Sequence, residues 1–241
     1  MSILELKKLI ENTENIVFFG GAGVSTESNI PDFRSSTGLY KTANNKEYPP
    51  EYMLSHTCYR KNTEDFYDFY KKNMIYIDAK PNLAHKSLTK LEKLDKLKAL
   101  ITQNIDGLHQ LAGTHNVLEL HGSVHRNYCE HCNAFYDLDY IMKKEGVPLC
   151  EKCNGIVKPD VVLYEEGLDM EVMNKAIESI MKADVLIVGG TSLTVYPAAG
   201  LVEYYNNDKL ILINKSVTQY DNKAYLTFND SIGEVLNSIF T

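Results

Sequence analysis

The 241-residue sequence has no apolar run close to the roughly 18 residues that a membrane-spanning helix needs. Residues 1–12 alternate Leu and Ile with Glu and Lys, which is not the pattern of a signal peptide. The formal net charge of −7 has the wrong sign for a protein that coats nucleic acid. Low-complexity segments, heptad runs and repeats of solenoid length are also absent from the sequence. We therefore expect a cytoplasmic protein that contacts neither a membrane nor nucleic acid directly.

Alternating short apolar runs and helical patterns make up most of the chain. The apolar runs, many bounded by glycine, are typical of strands buried on both faces of a parallel sheet; they cover residues 16–19, 99–102, 117–120, 185–188 and 210–213. Helical periodicity lies between them at 81–96, 169–181 and 197–205. This alternation predicts an α/β protein with a doubly wound parallel, Rossmann-like sheet.

Two stretches interrupt the alternation and predict a smaller inserted module. Residues 35–50 are polar and rich in Gly, Pro and Asn, and an aromatic helical segment follows them. Residues 126–158 contain four of the five cysteines and no long periodic pattern. We expect a discontinuous Rossmann-like domain that binds the nucleotide, and a module made of a helical segment and a zinc-binding ribbon. The domain would comprise 1–34, 80–125 and 159–241, and the module 35–79 and 126–158.

The four clustered cysteines form two C-x-x-C pairs, Cys129 with Cys132 and Cys150 with Cys153. Two such pairs can complete a tetrahedral shell of four sulfurs around Zn2+. Four protein ligands leave no open position, so the predicted zinc is structural and not catalytic. Redox-active or coincidental pairs are the alternative interpretation.

A glycine-rich turn at 20–26, GGAGVST, follows the first predicted strand. Such a turn suits either a pyrophosphate site or a tight structural turn, and only two glycines fit G-x-G-x-x-G. Phe33 and Arg34 follow closely and offer a ring for stacking and a bidentate phosphate donor. Together they favour a nucleotide site after this strand.

Polar side chains follow four successive predicted strands. They are Gln103, Asn104 and Asp106 after the second, His121 after the third, Thr191 and Ser192 after the fourth, and Asn214 after the fifth. Ligands bind at the carboxyl ends of the strands in a doubly wound sheet. The recurrence predicts one shared cleft, although each residue alone could be a helix cap or a satisfied turn.

These motifs resemble the sirtuins, the NAD-dependent protein-lysine deacylases. The resemblance covers nearly the whole chain, and the chain is similar to the compact bacterial members of the family. The motifs that carry the resemblance are GAGVS (21–25), IPDFRS (30–35), TQNIDGLH (102–109), HG (121–122), both cysteine pairs, PDVVLYEE (159–166), GTSLTVYPAA (190–199) and IN (213–214).

The resemblance implies that NAD+ is a co-substrate and that acetyl-lysine proteins or peptides are the partners. The residues it implies for the dinucleotide are Ala22, Thr26, Phe33, Arg34, Gln103, Asn104, Ile105, Asp106, His121, Thr191, Ser192, Asn214 and, by position alone, Ile232. Those it implies for the peptide, which would add as a strand, are Val162, Leu163, Tyr164 and Val195. Asn104 and Asp106 would line the nicotinamide pocket and join His121 as the catalytic residues.

The resemblance also implies a reaction. The acyl oxygen would displace nicotinamide from the ribose, and His121 would then act as general base on a ribose hydroxyl. The products would be nicotinamide, O-acetyl-ADP-ribose and free lysine. The alternative within NAD chemistry is mono-ADP-ribosyl transfer, in which a protein side chain attacks the ribose.

Two departures from the family pattern bear on specificity. The usual Phe-Gly-Glu is here Tyr164-Glu165-Glu166, which places an acid beside the peptide groove and predicts a preference for basic flanking residues. Members that prefer succinyl or malonyl lysine carry Tyr-x-x-Arg on the aromatic helix, whereas this chain has Tyr67 and Tyr70. We expect neutral acyl groups, with acetyl first.

Overall fold

The computed structural model describes residues 3–35, 38–42 and 48–241. The strands in these ranges are β1 (Ile16–Gly20), β2 (Leu97–Thr102), β3 (Val117–Glu119), β4 (Gly122–Cys129), β5 (Phe135–Tyr136), β6 (Val157–Val161), β7 (Val185–Gly189), β8 (Leu210–Ile213) and β9 (Leu226–Phe228). The α-helices are α1 (Ile3–Glu11), α2 (Leu39–Thr42), α3 (Pro50–Met53), α4 (His56–Lys61), α5 (Thr63–Asn73), α6 (Leu83–Lys93), α7 (Leu108–Ala112), α8 (Leu138–Lys143), α9 (Met170–Lys182) and α10 (Ile232–Ser238). Each helix in the described part of the chain is too short or too polar to span a membrane.

Six strands form one parallel sheet in the order β3-β2-β1-β7-β8-β9. The predicted α/β parallel architecture is therefore confirmed. The chain runs outward from β1 to β3 on one side and from β7 to β9 on the other, so the topology switches direction between β1 and β7. Clefts for ligands open at the carboxyl ends of the strands beside such a switch point.

Two hydrophobic layers cover the two faces of this sheet. In β1, Ile16 and Phe18 contribute to one layer, with α1, α6 and α10, while Val17 and Phe19 contribute to the other, with α9. Every residue of β1 is buried because both layers cover the strand. This explains why the strand reads as a continuous apolar run and not as an alternating one.

A second, antiparallel sheet has the order β5-β4-β6 and carries the cysteines. It begins at Gly122 and ends at Val161, a few residues beyond each of the predicted boundaries at 126 and 158. Helices α3 to α5 pack against it through an aromatic cluster in which the rings of Phe66 and Tyr70 stack at 5.6 Å. Lys71 on α5 also donates to the carbonyl oxygens of Lys144 and Gly146, which ties α5 to the ribbon.

The predicted strands lie within two residues of the observed ones, but two local predictions differ from the structure. The segment predicted as a helix at 197–205 is a 3-10 helix, Ala198–Tyr204. Short connectors often adopt this tighter form, and Gly200 within it lowers the α-helical propensity. The sequence does not predict strand β9 or the strands of the second sheet. Strands β5 and β9 have only two and three residues, β4 mixes buried and exposed positions, and Pro159 within β6 disfavours a strand.

Candidate active site

A cavity of about 980 Å³ lies between the carboxyl ends of the parallel strands and the second sheet with its helices. This is at the upper end of the range for small-molecule sites. Every residue that the sequence assigned to the dinucleotide or the peptide lines it: Ala22, Thr26, Phe33, Arg34, Gln103, Asn104, Ile105, Asp106, His121, Val162, Leu163, Tyr164, Thr191, Ser192, Val195, Asn214 and Ile232. The shared cleft expected from the strand ends is therefore present.

The glycine-rich turn crosses the end of β7 at close range. Gly23 donates its N–H to the carbonyl oxygen of Gly190 at 2.8 Å, and a Cβ on Gly23 would lie 2.6 Å from Gly190 Cα. These glycines therefore serve a tight structural crossing at the mouth of the cleft, and the pyrophosphate site at this turn stays a prediction. Two three-residue 3-10 segments form this turn and the residues just after it, Ala22–Val24 and Thr26–Ser28. Segments this short offer N–H groups but little macrodipole.

A hydrogen-bonded set of three side chains occupies the floor of the cleft. Ser25 Oγ donates to Asp106 Oδ2 at 2.6 Å, and Asn104 Nδ2 donates to Ser25 Oγ at 3.1 Å. Burial raises the pKa of the Asp106 carboxyl, although Ser25 and the Leu108 N–H, which both donate to it, oppose that effect. Sequence reasoning quoted Ser25 only as part of a motif and missed its role, because its partner is 81 residues away.

His121 follows β3 and is held in one orientation by a backbone contact. Its Nδ1 lies 2.9 Å from the Gln103 carbonyl oxygen. Because a carbonyl oxygen only accepts, Nδ1 must donate the proton, and Nε2 keeps its lone pair. Burial lowers the pKa of His121, so the imidazole is neutral at pH 7. His121 is therefore held in one orientation with an unprotonated Nε2.

Asn214, at the end of β8, offers an unused donor in the same cleft. Its Oδ1 accepts the N–H of Thr191 at 3.0 Å, while Nδ2 is buried and has no partner within the described residues. An unpaired buried donor costs about 1–3 kcal/mol, which a bound acceptor such as a ribose hydroxyl would offset. Glu27 nearby accepts from Ser231 Oγ and Gly233 N and so secures the start of α10, where Ile232 lies.

The segment with Phe33 and Arg34 lines the same cleft as the glycine-rich turn. Asp32 Oδ1 accepts the N–H groups of Arg34 and Ser35, which gives the loop a defined turn. The Phe33 ring meets the ring of Tyr40 edge to face at 5.9 Å. Part of the polar stretch that was assigned to the module, 36–37 and 43–47, lies outside the described residues.

The segment after β6 forms the wall between the cleft and the second sheet. Val162 donates its N–H to the carbonyl oxygen of His121 at 3.0 Å, so the wall and the base are joined directly. Leu163 donates its N–H to Glu166 Oε2, and Tyr164 donates its N–H to Leu54 O. Three backbone groups of 162–165 lack a partner within the described residues: the Val162 carbonyl and both the N–H and the carbonyl of Glu165.

The two acids of this segment are already engaged. Glu166 accepts from His56, Lys158 and the Leu163 N–H, and His56 and Lys158 contribute to the lowering of its pKa. Glu165 accepts from the N–H and hydroxyl of Thr57 at 2.9 and 2.6 Å, and its φ is 76°. The sequence predicted an acid beside the peptide groove. Of the two acids only Glu165 is exposed, and its carboxylate already binds Thr57 in the first turn of α4.

The two tyrosines at the acyl-specificity positions face different ways. Tyr67 is buried and donates to the carbonyl oxygen of Val157, and it does not line the cleft. Tyr70 lines the cleft, and its buried hydroxyl has no partner within the described residues. Of these two side chains, therefore, only Tyr70 reaches the cleft.

The four sulfurs of Cys129, Cys132, Cys150 and Cys153 lie within 4.8 Å of one another. Cys129 and Cys153 are 3.4 Å apart, and Cys132 and Cys150 are 3.5 Å apart. A tetrahedral Zn2+ with bonds of about 2.3 Å separates its sulfurs by about 3.8 Å. A disulfide needs about 2.05 Å, so the cluster fits a metal and not two oxidised pairs.

Comparisons with known proteins agree with this geometry. The model of the family described as "Sir2 family" matches residues 21–197. Curated proteins named NAD-dependent protein deacetylase from Clostridium tetani and Clostridium perfringens are 66% and 60% identical, over 97% and 98% of this chain and 95% and 98% of their own. A structure described as Sir2 with p53 peptide and NAD+ and another of Sir2 bound to acetylated peptide are 36% and 34% identical. Both have a TM-score of 0.86 and cover 100% of this chain and 98% of theirs.

Proposed function

This chain belongs to the Sir2 family, and we propose that it removes acetyl groups from protein lysines with consumption of NAD+. The activity is that of an NAD-dependent protein deacetylase, the name that its curated relatives carry. The products would be free lysine, nicotinamide and O-acetyl-ADP-ribose, with one water consumed. The observation that carries the proposal is the neutral, oriented His121, which lies where the polar strand ends meet the wall after β6.

The residues of the cleft fit a dinucleotide. Arg34 would bind the pyrophosphate beside Ala22 and Thr26, since all three line the cavity. Asn214, Thr191 and Ser192 would hold the adenosine half, with the unpaired Asn214 Nδ2 as a ready donor. Gln103 would contact a ribose, and Ile232 would border the adenine.

The nicotinamide pocket would be built from Asn104, Ile105 and Asp106 with Phe33. A buried carboxylate needs hydrogen-bond donors, and Asp106 Oδ2 already accepts one bond from Ser25. The N–H groups of the nicotinamide carboxamide would complete the hydrogen bonds of the Asp106 carboxylate. Bound NAD+ supplies a ribose carbon from which nicotinamide can leave when an acyl oxygen attacks. Phe33 and Ile105 would exclude water from that carbon, because hydrolysis of NAD+ competes with deacetylation.

His121 would act as the general base. Nε2 has a free lone pair because Nδ1 donates to Gln103 O, and the depressed pKa keeps the ring neutral at physiological pH. In our proposal Nε2 takes the proton of a ribose hydroxyl and so activates that oxygen toward the acyl carbon. Mono-ADP-ribosyl transfer needs no base in this place, so the buried neutral imidazole favours deacetylation over that alternative.

The acetyl-lysine peptide would lie along the wall formed by Val162, Leu163 and Tyr164, facing Val195. The free Val162 carbonyl and Glu165 N–H offer one acceptor and one donor to an extended peptide backbone. The N–H and carbonyl groups of Leu163 and Tyr164 are bonded within the chain, so the peptide would add as a strand held by few backbone bonds on this side. Recognition would then depend on the acyl-lysine more than on sequence.

The zinc of the ribbon would be structural. Four cysteine sulfurs at tetrahedral spacing complete its coordination, and Tyr136 donates its hydroxyl to Cys150 Sγ at 3.1 Å as a further support. We keep the division into a dinucleotide-binding domain (1–34, 80–125 and 159–241) and a module (35–79 and 126–158) as part of the proposal. The metal would fix the second sheet, whose β6 leads directly into the wall of the peptide site.

Release of nicotinamide tests this function. With NAD+ and an acetyl-lysine peptide, we expect nicotinamide to appear at the rate at which the peptide loses its acetyl group. The same peptide without the acetyl group is the matched control, and it should release almost none. Nicotinamide release that is equal with both peptides would reject deacetylation, because the acyl oxygen would then have no part in the reaction.

A further inference from the structure

Two tyrosine hydroxyls join the peptide wall to the segment that carries Phe33 and Arg34. The hydroxyl oxygens of Tyr164, after β6, and Tyr40, in α2, lie 2.5 Å apart. Where this chain has Tyr164, the usual pattern of the family has phenylalanine, which has no hydroxyl. The pair therefore depends on the departure from the usual pattern at Tyr164.

Each tyrosine is fixed to its own side of the cleft. Tyr40 donates its N–H to Phe33 O at 3.0 Å, its ring meets the Phe33 ring, and the Arg34 guanidinium lies 5.6 Å from its centroid. Tyr164 donates its N–H to Leu54 and accepts from the N–H of His56 through its carbonyl, both at 3.0 Å. The hydroxyl pair is therefore a direct link between the peptide wall and Phe33 and Arg34.

Both hydroxyls can serve as partners at neutral pH. Burial, followed by the hydrogen bond with Tyr164, raises the pKa of Tyr40, so the hydroxyl of Tyr40 keeps its proton. Two phenols can share one hydrogen bond in either direction. The loss of either hydroxyl breaks the same bond.

We propose that Tyr164 is a positioning residue that acts through Tyr40 on Phe33 and Arg34 and holds the loop in the conformation that binds the ADP-ribose part of NAD+. The inference rests on the proposed function, since it takes Phe33 and Arg34 as dinucleotide contacts. Without the bond, a smaller fraction of molecules has Phe33 and Arg34 in the arrangement that binds the dinucleotide, and the apparent affinity falls by that fraction. Linkage is reciprocal, so a bound dinucleotide also holds Tyr164 in place for the peptide.

A double-mutant cycle on ADP-ribose binding tests the link. We expect Tyr40→Phe and Tyr164→Phe each to raise the Kd of ADP-ribose, measured by calorimetry, about fivefold, the value of one ordinary hydrogen bond. The double variant should show the same loss of about fivefold, since both changes remove one bond. Tyr205→Phe is the matched control, because Tyr205 donates its hydroxyl to Asp184 O and does not line the cleft.

Three outcomes would overturn the proposal. They are single variants that bind like the wild type, a double variant whose loss is the product of the two single losses, and single variants that lower kcat without raising KM for NAD+. The binding cycle needs no acetyl-peptide, so it remains readable if deacetylation itself fails. A wild-type chain that does not bind ADP-ribose at all would reject both this proposal and the proposed function.

Discussion

Replacing His121 with alanine tests whether His121 is the general base of the proposed reaction. A positioned general base contributes about 10²- to 10⁴-fold to a rate, which corresponds to about 2.7–5.4 kcal/mol of transition-state stabilisation. The structure supports the full effect, because Nδ1 is committed to Gln103 O and the lone pair of Nε2 is available without prior deprotonation. We therefore expect kcat/KM for deacetylation to fall by that factor, while the variant stays folded and retains NAD+ and zinc.

The assay is the loss of acetyl from a lysine peptide at fixed NAD+, followed by mass spectrometry. His115→Ala is the control, since the side chain of His115 is 88% exposed and pairs with Glu92 outside the cleft. In the wild type, burial depresses the pKa of His121, so kcat/KM should be flat near pH 7 and fall only below about 6.5. A loss smaller than about tenfold in His121→Ala, or an acid limb centred above pH 7, would refute the assignment of His121 as the base.

Three further predictions concern the metal, the acyl group and acid stability. Cys150→Ser should lose zinc, measured by elemental mass spectrometry, and should melt at a lower temperature than the wild type. Cys58→Ser, which changes the cysteine outside the cluster, is the control for zinc content. A stable zinc-free Cys150→Ser variant would contradict a structural metal. A peptide should show a higher kcat/KM when acetylated than when succinylated, because Tyr70 offers no cation to a carboxylate; a succinyl preference would contradict this. Burial lowers the pKa of His85 to about 4, and it also lowers the pKa of the adjacent His109. Since the unfolded state then binds more protons, stability should be complete above pH 6.5 and fall toward pH 4. His85 alone would lower the free energy of unfolding by about 2 kcal/mol between pH 7 and pH 5. Equal free energies of unfolding in urea at the two pH values would contradict this prediction.

The parallel sheet could be predicted from the sequence because its strands are buried on both faces. Residues such as Ile16 and Phe19 belong to opposite layers, and both layers require apolar side chains. Continuous apolar runs that end in glycine or in polar residues then mark the strand ends, where the cleft lies. The same logic explains why the second sheet escaped prediction, since β5 has two residues and β4 mixes buried and exposed positions.

A site residue could be predicted where a local sequence pattern marks its position. It could not be predicted where its place in the site depends on a contact with a residue far away in the sequence. His121 and Asn214 stand at strand ends, so their positions follow from the alternation of strands and helices. Ser25 depends on Asp106, 81 residues away, and Tyr40 depends on Tyr164, 124 residues away. No periodicity or spacing in the sequence reports such pairs.

Glu165 shows how a correct sequence observation led to an incomplete conclusion. The family pattern has glycine in this place, and the observed φ of 76° lies in the left-handed region that favours glycine. The substitution does place an acid in this segment, but its carboxylate accepts two hydrogen bonds from Thr57. The expected preference for basic flanking residues therefore has weaker support than the sequence suggested.

The mass of the products tests the central claim most directly. One acetyl-lysine peptide is incubated with NAD+ and the protein, and the masses of the peptide and nucleotide products are measured by mass spectrometry. The account predicts equal amounts of deacetylated peptide, nicotinamide and an ADP-ribose that has gained one acetyl group. A peptide that keeps its acetyl group and gains ADP-ribose, or free acetate formed with NAD+ intact, would contradict it.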